Sequence, residues 1–177
     1  MNFPSILLLS FVSFSVSAES SSVKSVRSVI STSDSSIHYS LSGLLTLYYD
    51  LKNALFHSDA VAASANAHKL LDAINATDTK SLSASDFKIF TSLQSKLSYD
   101  ARHIAEVQKI EHQREHFASL SINMYTLAKS IRLSGKPIYQ DYCPMKKAYW
   151  LSDEKEIKNP YYGSQMPDCG DIKNTIN

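Results

Sequence analysis

The chain has 177 residues, with 18 Lys and Arg against 17 Asp and Glu, for a formal net charge of +1. That length suits one domain with a sizeable buried core. The near-neutral balance, with no long basic block, argues against a nucleic-acid partner.

The N-terminus reads as an export signal. Ile6 to Val16 is an apolar stretch broken only by serines, and Val16-Ser17-Ala18 offers the small side chains that a signal peptidase reads. No Lys or Arg precedes the apolar core, so the positive charge there rests on the α-amino group. The alternative is an uncleaved anchor, but a spanning helix needs about 20 mostly apolar residues, and this stretch is short and serine-rich. The expectation is a signal peptide over 1–18, removed after Ala18, and a protein secreted across an inner membrane into the periplasm. No later segment is apolar enough to cross a membrane. Residues 19–33 follow as a Ser/Val linker carrying Lys24 and Arg27, with too little apolar surface to order itself.

The expected domain covers 34–177. From Asp34 to about Leu133 there is one glycine, Gly43, and no proline. Four helices are predicted there. In the first, Leu41, Leu44, Leu45, Tyr48, Leu51 and Leu55 recur at steps of three and four. Ser58 or Asp59 caps the second, an alanine-rich helix over about Ala60 to Ile74. The third starts near Ser83 or Ser85 and carries Phe87, Phe90, Leu93, Leu97 and Ile104. The fourth presents Ile110, Phe117, Leu120, Met124, Leu127 and Ile131 as one stripe. The third and fourth meet near Gln108-Lys109 with no strong cap, so the sequence admits a break or one continuous helix. Short connections favour antiparallel neighbours. The predicted fold class is all-α, an up-down four-helix bundle with an irregular, aromatic, Pro/Gly-rich C-terminal tail over 134–177. Trp150 and five tyrosines in that tail suggest that it packs on the bundle.

The tail holds both cysteines. Tyr142-Cys143-Pro144-Met145 faces Met166-Pro167-Asp168-Cys169-Gly170 across Trp150-Leu151-Ser152 and Asn159-Pro160-Tyr161-Tyr162-Gly163. Thiolate and thioether are soft donors that suit Cu(I) better than Mg²⁺ or Ca²⁺. Cys143, Met145, Met166 and Cys169 are therefore candidate metal ligands, and Lys146 or Lys147 nearby would favour the Cys143 thiolate. A plainer reading stands beside this. Two cysteines in an exported chain usually form one disulfide, here worth about 3 kcal/mol in the chain-entropy picture. Met145 and Met166 would then fill space against Trp150 and the tyrosines.

Histidines give a second candidate. His112 and His116 are four apart and share a helix face. They can complete the sulfur site or simply pack at a helix edge. Gln113, Arg114 and Glu115 lie between them, so this is not the zinc-protease pair, and a cation beside a metal would be unhelpful. His103 can join them only if the chain turns back. His38, His57 and His68 read as surface residues. There is no Gly-rich phosphate loop and no Gly-x-Ser-x-Gly elbow. The expectation is a non-enzymatic protein.

Several of these segments together resemble a family. They are Leu44-Leu45-Thr46-Leu47-Tyr48-Tyr49-Asp50-Leu51-Lys52-Asn53-Ala54-Leu55, then Ile110-Glu111-His112-Gln113-Arg114-Glu115-His116-Phe117 with Leu120-Ser121, and the tail motifs above. The chain resembles the bacterial domain of unknown function three-three-four-seven. The resemblance implies an exported helical-bundle protein, in a family whose domain also occurs fused to adaptor subunits of heavy-metal efflux pumps. Tyr-Cys-Pro-Met is separately similar to a short heavy-metal-binding motif of copper-handling proteins. That motif has His-Pro after the Met and a second Cys-x-x-Cys. Here Lys146-Lys147 follow Met145 and only Cys169 stands at the second position, which leaves two Cys and two Met. The function expected is soft-metal binding or carriage, with copper as the cofactor and a metal-efflux or copper-handling protein as partner. The alternative is an interaction module, stapled by a Cys143–Cys169 disulfide, that docks on such an adaptor.

Overall fold

The computed structural model describes residues 40–177. The expected signal peptide and linker, the domain start at Asp34, and His38 lie outside the described residues. Four helices follow in order: α1 Leu41–Phe56, α2 Ala60–Asn75, α3 Ala84–Glu106 and α4 Ile110–Ser130. Three begin with side-chain caps, and two of these, Asp59 and Ser83, are expected from the sequence. Ser40 Oγ accepts from Gly43 N–H, Asp59 from Ala62 N–H, and Ser83 from Asp86 N–H. Ser58 is not a cap; it takes a left-handed φ of 57° where the chain reverses between α1 and α2.

Polar bonds between helices fix their directions. Asn66 on α2 donates to Asp50 O on α1. Gln94 on α3 reaches Ile74 O near the end of α2, while Ser64 near the start of α2 donates to Ala105 O at the far end of α3. Across α1 and α4, Tyr48 stacks on Phe117 at 5.1 Å, and Arg114 donates to Leu55 O at 3.0 Å. Each neighbour therefore runs antiparallel, as an up-down bundle requires. The predicted stripes supply the core: Leu44, Tyr48, Leu51, Leu55, Phe90, Leu97, Ile104, Phe117, Leu120, Met124 and Leu127 are fully buried. Phe87 is the exception, standing exposed in the first turn of α3.

Helices three and four are separate. Val107 and Lys109 have extended backbone, and α4 has no side-chain cap. Gln113 closes the break instead. Its buried amide Nε2 lies 3.3 Å from Ile104 O, 2.8 Å from Val107 O and 2.9 Å from Ala60 O, so two protons serve three carbonyls at the end of α3 and the start of α2.

The tail corrects the all-α expectation. It is not irregular but forms a three-stranded antiparallel sheet of β1 Ile138–Cys143, β2 Ala148–Ser152 and β3 Asp171–Ile176, in the order β2-β1-β3. Tyr139 to Cys143 pair with Ser152 to Ala148 through a hairpin whose Lys147 has φ 56°. Prolines and glycines in the connections give the tail the composition of a loop. The strand signal was weak because β1 buries Ile138, Gln140, Asp141 and Cys143 without clean alternation, and β3 is exposed almost throughout. The sheet does pack on the bundle, as Trp150 suggested. Trp150 and Leu151 are fully buried, and Tyr161 bridges edgewise between Trp150 and Phe117, with ring centroids 5.9 Å apart on both sides. Leu151 N–H also donates to the Tyr48 hydroxyl at 3.0 Å, which joins β2 to α1.

Candidate metal centres

Cys143 ends β1 and is buried, while Cys169 lies just before β3 and is half-buried. Both thiols are free, and their Sγ atoms stand 3.7 Å apart. The hairpin turn lies against them. Lys146 N–H lies 3.4 Å from Cys143 Sγ, and the Met145 backbone favours the Cys169 anion. On the other side, buried Asn159 holds Cys169 O at 2.7 Å through Nδ2, and its own N–H donates to Pro167 O. Hydrogen bonds to a sulfur favour its anion. Even so the Cys169 thiol is pushed up, first by loss of solvent, then by the Cys143 sulfur that shares its proton and would repel a second negative charge. Two thiolates this close need a cation between them. Sulfurs bound to one tetrahedral ion at about 2.3 Å lie about 3.8 Å apart, close to the spacing seen.

Met145 and Met166 do not fill the space beside Trp150. They are 62% and 36% exposed, reachable from solvent on the segments that carry the cysteines. Lys146 and Lys147 are exposed, and the contact with Cys143 comes from the Lys146 backbone N–H.

His112 and His116 sit elsewhere. The break at 107–109 folds α4 back along α3 and brings both to His103. The ring nitrogens of the three lie within 4.8 Å of one another, and this is the only cluster of three or more His, Cys, Asp or Glu donors among the described residues. His103 and His116 stack at 4.5 Å, and His112 stands edge-on to His116 at 4.7 Å. Behind them, buried Asp100 places Oδ1 3.1 Å from His116 Nδ1. The sequence reading admitted His103 only if the chain reversed, and it missed Asp100. The signal was a pair of matched spacings, Asp100 with His103 three apart on one helix and His112 with His116 four apart on the next. Arg114 is no obstacle, since it points to the other side of α4. Its Nε donates to Pro160 O at 2.8 Å, and its Nη2 donates to Leu55 O at 3.0 Å and Ser58 Oγ at 2.9 Å. His57 and His68 are exposed, as expected.

The family model described as "Protein of unknown function (DUF3347)" matches residues 44–136. The chain belongs to that family. The DUF3347 span takes in nearly all of the four helices, with Asp100, His103, His112 and His116, and it ends before β1, so both cysteines lie beyond it. No curated protein matches the chain, and no solved structure does. Among the described residues, no helix is long and apolar enough to cross a membrane.

Proposed function

We propose that this DUF3347 protein is an exported metal-binding or carrier protein that holds a soft ion, copper as Cu(I), between Cys143 and Cys169. The observation that carries this reading is the pair of unbonded sulfurs 3.7 Å apart, with the Lys146 N–H of the hairpin turn directed at Cys143 Sγ. Soft thiolates select Cu(I). An entering ion displaces the thiol protons and cancels the repulsion that keeps the second one in place. Met145 and Met166 supply thioethers at the exposed rim, where an ion passes to or from a copper-handling or efflux partner without ever being free. Two sulfurs with exposed thioethers make a site that can release its ion, as a carrier needs.

The competing reading is a Cys143–Cys169 disulfide that staples β1 to the start of β3 and leaves an interaction module. One experiment separates them: titration of the mature protein with Cu(I), with and without reductant, beside the Cys143→Ser, Cys169→Ser double variant. The proposal expects one equivalent bound tightly, only in the reduced protein, and lost in the variant. Reduced wild type that binds no Cu(I), with a variant that is merely less stable, overturns it in favour of the disulfide.

A further inference from the structure

We infer that His103, His112 and His116 form a second metal site of a different donor class, one that takes a borderline divalent ion such as Zn²⁺, Co²⁺ or Cu²⁺, with Asp100 as its positioning residue. Imidazole suits these ions. Nitrogens bound to one ion at about 2.0–2.1 Å cannot be more than about 4.2 Å apart. Donors within 4.8 Å of one another are therefore a short side-chain rotation from convergence. All three histidines are half-buried on a helix face, so their rings have room for that rotation.

Simple stacking of aromatic rings accounts for less of what is present. Tyr99 does lie against His103 at 4.4 Å, and a stacked patch would look much the same from outside. A patch has no need of a buried carboxylate behind one ring. Asp100 is 3% exposed, and His116 Nδ1 is the partner of its Oδ1. With Nδ1 as the donor to that carboxylate, Nε2 is left as the electron-pair donor, the arrangement by which carboxylates orient metal-binding histidines. Three protein ligands also leave a coordination position open, which marks a site for exchange or catalysis more than a structural one. The site is separate from the thiol pair: its ligands come from α3 and α4, and no sulfur belongs to it.

The test is titration of the tag-free full chain with Co²⁺, read by its visible spectrum. One bound equivalent with ligand-field bands and no sulfur-to-cobalt charge-transfer band is expected, and Cys143→Ser with Cys169→Ser leaves it unchanged. Asp100→Asn weakens binding about 10–100-fold. His103→Gln weakens it more, while thermal melts of the metal-free variants show that the fold persists. Three results overturn the inference: no bound Co²⁺, a charge-transfer band that follows the cysteines, or binding indifferent to His103→Gln. None of them bears on Cu(I) binding at the thiols, so the two sites stand or fall separately.

Discussion

Asp141 carries two buried carboxylate oxygens with no hydrogen-bond partner among the described residues. Burial pushes its pKa up to about 7, although the Lys52 ammonium nearby pulls the other way. A carboxyl raised on folding contributes stability that is full below the ordinary carboxylate range and is lost as pH rises through about 7. Asp141→Asn is therefore expected to flatten the fall in thermal midpoint between about pH 4 and pH 8, measured against wild type in the same buffers. Gln113 is a mixed case, a buried side chain whose Nε2 serves three carbonyls while its Oε1 has no hydrogen-bond partner among the described residues. Gln113→Leu removes the donor that serves Ile104 O and Val107 O at the α3–α4 break and is expected to cost about 1–3 kcal/mol in urea unfolding. Neither residue was legible in the sequence. Periodicity finds apolar side chains, whereas a glutamine that serves the ends of two other helices repeats at no interval. Tyr48 was legible only as an apolar position. Its hydroxyl must donate to Ser121 Oγ, because the Ser121 proton goes to Phe117 O, which leaves the oxygen free to accept from Leu151 N–H.

At the scale of elements, helices were readable and strands were not, and burial explains the difference. Each helix buries one stripe, so its period survives in the residue order, and the caps Asp59 and Ser83 stood among the residues offered. Strand β1 buries residues on both faces and β3 buries almost none, so neither alternates. The segment between β2 and β3 depends on one glycine. Gly163 has φ 56°, and a Cβ there would stand 2.6 Å from Phe56 O and 2.6 Å from Ser58 Oγ, beside the Arg114 guanidinium. Gly163→Ala is expected to destabilise by about 1–3 kcal/mol, through left-handed strain and displacement of the loop from the end of α1. Urea denaturation measures this. The same geometry explains the motif Glu111-His112-Gln113-Arg114-Glu115-His116-Phe117. Two residues look toward α3 and the histidine cluster, two tie down backbone carbonyls, and Phe117 enters the core.

At the scale of the molecule, bundle and sheet meet through Tyr48, Phe117, Trp150 and Tyr161, and that junction is where aromatic content in the tail carried real information. Tyr48→Phe keeps the ring stack but orphans Leu151 N–H. It is expected to cost about 1–3 kcal/mol and to speed amide exchange in β2 more than in α3, as read by hydrogen–deuterium exchange. The candidate sites were legible in parts: the sequence identified the donors, but distance in the folded chain sorted them, His112 and His116 to His103, and Cys143 to Cys169. Sorting of that kind is a property of topology. The histidine cluster is drawn from a single helical hairpin, close along the chain, and contacts of that range form fast. The thiol pair closes only when the chain has returned from β2 and laid β3 beside β1. In a chain that emerges from its N-terminus, the first site has all its residues by His116, and the second waits for Cys169.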